Sequence, residues 1–418
     1  MSRVVVLGGG VIGLASAYEL AQRGERALVL DRGVPGGACS AGNLGWIVPS
    51  LSEPLPAPGL AWTSVKWMLR RESPLYVDPR FALRAAPWLW RFWRHCNARD
   101  YERGLEAVGG LNGRTLERFD ALEADGVDFE MHRAGLLFLF HSVAARERSF
   151  AEFEALAALG LASPSRLDPD EVLGLEPGIA PGVAGGVMIA GERHVRPETL
   201  SAGLARRARE LGAEVRGGVE VTDVIRRGGR VTGIVTADGT LEADALVLAA
   251  GSWSGRIARR LGFPLPIQPG KGYSVTIRDP AAAPARPLYL SEMRVGLSPF
   301  DGAIRLGGTM ELSGFGPRIV PARVAAIRRA AARYYPGAAE GGDQVEWMGL
   351  RPLTPDGLPA IGRAPGWENV FVATGHAMLG VTLAPVTGLA VAELVTGGES
   401  SFDLGPFDPG RFGRKVER

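Results

Sequence analysis

Cysteine is almost missing from this chain. Its 418 residues hold only Cys39 and Cys96. Two thiols cannot build a disulfide framework or a cysteine-based zinc site, and no metal is expected. They fit a reducing compartment, so a cytoplasmic location is expected. An excess of one charge is missing too. The balance of 47 Lys+Arg against 45 Asp+Glu gives a net +2, which leaves nothing to attract a polyanion, and no nucleic-acid partner is expected. Lysine is scarce, with only Lys66, Lys271 and Lys415, so almost all positive charge is arginine, which we read as coding bias. There is no apolar run long enough to cross a bilayer, since the longest, residues 135–140, is strand-sized. A strand pattern starts at residue 3 and leaves no room for a signal peptide.

What remains is an ordinary globular composition, 46% hydrophobic and 22% charged. The length exceeds one ordinary core and points to two domains.

The first thirty residues read as a βαβ unit. Residues 3–7 are a continuous apolar run, as a strand buried on both faces requires. Three glycines break it at residues 8–10. Residues 11–22 have helical spacing, stopped by Gly24, and residues 26–30 form a second strand ending at Asp31. That rhythm then lapses. Between 46 and 194 lie a Pro-rich stretch (49–58), a Trp-dense stretch (62–93) and helical segments near 99–125 and 142–159. The rhythm returns with an amphipathic helix over 198–211. A small meander follows, expected to take in 214–216 with 219–224, then 230–236 and 240–243. Residues 245–251 and 369–375 read as two more buried strands, the second leading to a helix over 385–395.

Gly8-x-Gly10-x-x-Gly13 sits between a strand and a helix. Gly8 makes the tight turn, Gly10 lets backbone N–H groups reach a pyrophosphate, and Gly13 permits close helix–strand packing. The helix N-terminus adds partial positive charge. Asp31 stands where an acid binds an adenosine ribose. It would repel a 2′-phosphate, and Arg32 alone does not reverse that. A nicotinamide domain would continue as a regular doubly wound sheet. This chain leaves the sheet after two strands and returns near residue 198. A cofactor gripped at both the N-terminal and C-terminal ends must be long, which favours FAD.

Several motifs together resemble the D-amino-acid oxidase superfamily of FAD enzymes, with most likeness to its bacterial D-amino-acid dehydrogenase branch. They are the Gly8–Gly13 turn, Ser40-Ala-Gly-Asn-Leu-Gly45, Lys66-Trp-Met-Leu69 and Pro269-Gly-Lys-Gly-Tyr-Ser274. Gly349-Leu-Arg-Pro-Leu-Thr-Pro-Asp-Gly-Leu-Pro359 and Thr374-Gly-His-Ala-Met-Leu-Gly380 complete the set. The resemblance covers essentially the whole chain. It implies an α/β fold: a Rossmann-type FAD-binding domain (1–46, 195–262 and 346–418) and a discontinuous mixed-sheet (α+β) substrate domain (47–194 and 263–345).

The resemblance also implies roles for particular residues. Gly8, Gly10, Val11, Ile12 and Gly13 would hold the pyrophosphate, and Asp31, with Arg32 beside it, the ribose. Ser40, Asn43 and Leu44 would lie by the pyrophosphate and flavin. Val221 would meet the adenine, and Ala250 and Gly251 would line the approach to the flavin. Gly375, Leu379, Gly380, Val381 and Thr382 would pass under the pyrimidine ring. Arg351 would clamp a substrate carboxylate, with Tyr273 and His376 as further substrate contacts. No catalytic acid or base is named. FAD is expected to be non-covalent, with Cys39 a thiol in the flavin loop.

The implied reaction is oxidative deamination of a small amino acid, foremost a D-amino acid. Hydride passes from Cα to flavin N5, giving a 2-oxo acid and ammonia. Oxidation of an imino or secondary amino acid (hydroxy-D-proline, proline, sarcosine, glycine) is the alternative. The electron acceptor is a quinone or O2. Two departures from the family pattern, Leu44 and Ala377, are expected to narrow the pocket beside the flavin or to alter oxygen access. The Trp-dense stretch reads as a helical core of the substrate domain. Its alternative is a basic amphipathic surface making peripheral contact with the inner face of the cell membrane.

Overall fold

The structure, a computed structural model, describes residues 2–60 and 75–413. Lys66-Trp-Met-Leu69, and with it Trp62, Trp67, Arg70 and Arg71, lies outside the described residues.

Strand Arg3–Leu7 is central in a six-stranded sheet. Arg26–Leu30 and Ala245–Leu248 flank it in parallel, and Val370–Thr374 follows Ala245–Leu248. Ala360–Arg363 closes one edge antiparallel. The unbroken apolar run has a simple cause. Val4 and Val6 face a core shared with helices Val11–Gln22, Pro197–Glu210 and Ala384–Thr396. Val5 and Leu7 face a second core under the meander and helix Ser254–Arg260. A strand covered on both faces has no polar position to spare. Helices Val11–Gln22 and Ala384–Thr396 pack through Gly388, where a Cβ would stand 2.7 Å from the Ala15 carbonyl.

One expected strand moves. Glu214–Arg216 does not join the meander. It pairs parallel with Arg26–Leu30 and forms the other edge of the six-stranded sheet. The meander is Val221–Arg227, Arg230–Thr236 and Gly239–Glu242.

A second, nine-stranded sheet carries the remaining chemistry. Gln344–Leu353 forms one edge, and Gln268–Arg278, Ala303–Leu312 and Val295–Phe300 follow it in that order, each antiparallel to the next. Helix Pro321–Tyr334 covers one face through Val324, Ile327 and Ala331. The boundary expected at 346 falls inside Gln344–Leu353, which pairs with Gln268–Arg278 over ten residues. Residues 346–353 therefore belong to the second sheet. Leu136–Phe140 lies in that sheet too, between Leu288–Leu290 and Gly185–Ile189.

Helix Pro79–His95 starts at Asp78, whose carboxylate accepts from Arg80 N at 2.8 Å. Trp88 is buried, stacks on Phe92 and donates its indole N–H to Pro266 O at 2.8 Å. Trp90 and Trp93 are 55% and 60% exposed. The tryptophans of this helix thus divide between core and surface.

Candidate functional site

The turn after the first strand is dictated by lack of space. Gly8 has φ +107°, and a Cβ there would stand 2.7 Å from the Ala249 carbonyl carbon. At Gly13 a Cβ would run into the Gly8 carbonyl oxygen. The backbone can therefore pass close to a ligand, and the following helix points its unpaired N–H groups at it. Ser40 Oγ takes one of them, accepting from Val11 N at 3.0 Å. Asp31 is fixed at the end of the second strand. One carboxylate oxygen accepts from Gly9 N and the other from Gly33 N, both at 2.7 Å.

These groups line a cavity of about 610 Å³ that runs from Asp31 and Val221 to Arg351 on the second sheet. Of the expected residues, Gly8, Gly10, Val11, Ile12, Asp31, Arg32, Ser40, Asn43, Val221, Ala250, Gly251, Gly380 and Val381 line it, as do Arg351 and His376.

Other expected residues fall elsewhere, each for a packing reason. Gly13 is behind Gly8. Leu44 turns its side chain into a niche left by Gly296 and Gly307. Thr382 donates its hydroxyl to Trp46 O at 2.9 Å and tethers that segment. Leu379 packs on the core of the six-stranded sheet. Gly375 turns against Thr354, whose Cγ2 would be 2.8 Å from a Cβ. Tyr273 is 1% exposed and sits on the helix-covered side of its sheet. Its hydroxyl donates to Glu311 at 2.8 Å, within a buried group that includes Lys271 and Arg323. It makes no part of the cavity wall, because neighbouring residues of a strand face opposite ways.

Arg351 lies across Gly272, where a Cβ would fall among the guanidinium atoms. Its Nη1 donates to Thr309 O at 3.0 Å. Lost hydration lowers its pKa, and the neighbouring Cys39 thiol acts the other way. No carboxylate among the described residues pairs with it. Burial pushes Cys39 up to about 11, so it stays a neutral thiol. His376 is 3% exposed, and its Nε2 meets Thr387 Oγ1 at 3.0 Å. Burial holds its pKa down to about 3, so the ring is neutral at physiological pH. Ala377, also on the cavity wall, has φ +47°, a left-handed backbone that costs a non-glycine residue about 1 kcal/mol.

Three features escaped the sequence reading. Arg305, 2% exposed, reaches from the second sheet to the loop beside the cavity. Its Nη1 donates to Ala41 O and Asn43 O, each at 2.8 Å, and its other arm pairs with Glu198. Arg32, Trp253, Phe315 and Arg256 form a chain in which two tilted rings lie between two guanidinium groups. Arg32 is 4.1 Å from the Trp253 ring, the two aromatic rings are 5.8 Å apart, and Arg256 is 4.0 Å from Phe315. Trp347 lines the cavity near Arg351. Strand alternation places 347, 349 and 351 on one face, which is the only signal the sequence holds for it.

The profile of the DAO family, the FAD dependent oxidoreductases, matches residues 3–394. The chain belongs to this family. It is 34% identical over 404 residues to a D-amino acid dehydrogenase from Methylobacterium sp. (strain 4-46), covering 94% of this chain and 95% of that protein. Among solved structures it is similar to a glycine oxidase from Geobacillus kaustophilus, with TM-score 0.77, 26% identity and full coverage of both chains. The fold is also that of L-proline dehydrogenase from P.horikoshii, with TM-score 0.76, 21% identity and 99% coverage of each chain. The protein is thus an FAD-dependent oxidoreductase. Its residues fit FAD: the glycine cradle at Gly8 excludes any side chain, and one continuous cavity joins the nucleotide end to the second sheet.

Proposed function

We propose that the chain oxidises a small amino acid at its α-carbon, with a D-amino acid as the foremost donor. The observation that carries this reading is Arg351, a guanidinium facing the cavity with no carboxylate partner among the described residues. A planar fork of N–H groups matches an α-carboxylate with two parallel hydrogen bonds. The naming of the Methylobacterium relative and of the glycine oxidase supports an amino-acid donor.

FAD, when bound, supplies the two-electron oxidising capacity. The chain supplies position. Asp31 would hold the ribose hydroxyls, the helix Val11–Gln22 would face the pyrophosphate, and Arg351 would set where the carboxylate, and hence Cα, lies. Near Arg351 the ionisable groups of the cavity wall among the described residues are Cys39 and His376, both uncharged at neutral pH. Neither is suited to take a proton, so the amine enters the reaction neutral, its proton lost to water beforehand.

Anaerobic mixing with D- and L-amino acids, glycine, sarcosine, proline and 4-hydroxyproline isomers tests this. Bleaching of the flavin by primary D-amino acids is expected. Bleaching by cyclic or N-methyl donors alone would replace the reading with the imino-acid one, and no bleaching at all would end it.

A specific observation also favours peripheral contact with an anionic membrane, where a quinone would serve as acceptor. Helix Pro79–His95 exposes Leu83, Trp90 and Trp93. Arg80, Arg84, Arg91 and Arg94 are exposed along it, and it has no acidic residue. No helix among the described residues is long and apolar enough to cross a membrane, so the contact would lie in the interface. The protein is expected to sediment with phosphatidylglycerol vesicles at low salt. Replacing Trp90 and Trp93 by Ala should weaken that partition by about tenfold. Full recovery of wild-type protein in the supernatant would sink the idea.

A further inference from the structure

We propose that Trp347 sets the size of the α-substituent that this site accepts, limiting donors to amino acids with compact apolar side chains. The inference rests on the amino-acid reading above and adds a specificity determinant to it.

Gly272 and Gly349 are direct register partners on adjacent antiparallel strands. A Cβ on Gly272 would fall among the guanidinium atoms of Arg351. One on Gly349 would fall within the indole of Trp347, 2.6 Å from Cζ2. The space at Gly272 is filled by Arg351 from the neighbouring strand, and the space at Gly349 by Trp347 two residues earlier on its own strand. The guanidinium and the indole thus lie over opposed positions whose Cα atoms are about 5 Å apart. Both line the cavity.

A carboxylate bound at Arg351 has its Cβ two bonds from the carboxylate carbon, about 2.5 Å away. The substituent on Cα is therefore delivered to the edge of the indole. That edge cannot swing aside. The ring-fusion atoms of the indole also lie against Gly42, where a Cβ would be 2.5 Å from Trp347 Cε2. Gly42 is pinned in turn, for Ser274 Oγ donates to its carbonyl at 2.7 Å. Arg305 holds the carbonyls of Ala41 and Asn43 on either side of it. The ring is held between a strand and a tethered loop. A rigid wall rejects a large substituent, where a mobile one would make room for it.

The test compares wild type, Trp347→Phe and Trp347→Ala, all loaded with FAD. Steady-state kcat/KM is measured for D-alanine and D-phenylalanine with a dye acceptor. Affinities for acetate and phenylacetate are read from the shift of flavin absorbance. Trp347→Ala should move both ratios at least about tenfold toward the bulky member, and Trp347→Phe should move them part of the way. Equal losses for small and bulky ligands would place the indole against the amine and overturn the proposal, as would unchanged ratios. If Trp347→Ala does not retain FAD, Trp347→Phe decides alone, and ratios matching wild type overturn the proposal. Should no amino acid reduce the wild-type flavin, the amino-acid reading fails by itself. The carboxylate series then still decides whether Trp347 selects by size.

Discussion

Replacing Arg351 by Met should leave the protein yellow and folded while lowering kcat/KM by about 10²–10³-fold, with KM raised and kcat depressed together. The size follows from what the guanidinium does. Removing one partner of a desolvated, hydrogen-bonded charge pair costs about 2–5 kcal/mol, and each 1.36 kcal/mol is a factor of ten. The loss falls on KM because the carboxylate is no longer held. It falls on kcat because the same contact fixes where Cα lies. Among the described residues Arg351 makes one hydrogen bond, to Thr309 O, so the fold should tolerate its removal. Arg351→Lys should recover only part of the loss, since a point charge does not reproduce the planar fork. Steady-state kinetics on the preferred donor would measure this, and unchanged constants would remove Arg351 from the site.

The second large effect is on the cofactor itself. Gly8→Ala should yield protein that purifies with little or no FAD, its affinity lower by about 10²-fold or more. The residue has φ +107°, and its new methyl would meet the Ala249 carbonyl carbon at 2.7 Å. A left-handed backbone for alanine and a collision with backbone together cost about 2–4 kcal/mol. The turn must shift to relieve them, and it is the turn on which the pyrophosphate rests. The ratio of flavin to protein absorbance and the recovery of thermal stability on adding FAD would report it. Stoichiometric FAD with unaltered affinity in Gly8→Ala would mean that the pyrophosphate lies elsewhere.

The first thirty-one residues were readable because everything about them is local. A run buried on both faces, three glycines, a helix and an acid follow one another within a single supersecondary unit. The place of Arg351 on the cavity wall was legible from its motif. Tyr273 misled because its fate depends on register parity between distant strands. It faces helix Pro321–Tyr334, while Gly272, one residue earlier, faces the cavity. Nothing near Tyr273 in the chain says which face is which. Leu44 and Thr382 sit next to residues that do line the cavity, and each was drawn away by a partner far along the chain, Gly296 and Trp46. Glu214–Arg216 was misplaced because a three-residue strand carries too little pattern to distinguish a hairpin partner from a sheet edge. Arg305 and Trp347 act through contacts that only the folded chain brings together. Ala377 was noted as a departure from the family pattern, but its left-handed backbone was not foreseeable from composition.

The loop at residues 40–45 follows the dinucleotide-binding turn in sequence, yet its carbonyls are held by Ser274, Ser298 and Arg305 of the other sheet. Its leucine is seated in that sheet's glycine niche. The two halves of this enzyme are therefore not interchangeable cassettes. A chimaera that imported a relative's substrate-facing strands would need to import this short loop with them, although the loop lies more than two hundred residues upstream. Sequence drift in the one constrains drift in the other, and the unit of inheritance at this site is the pair.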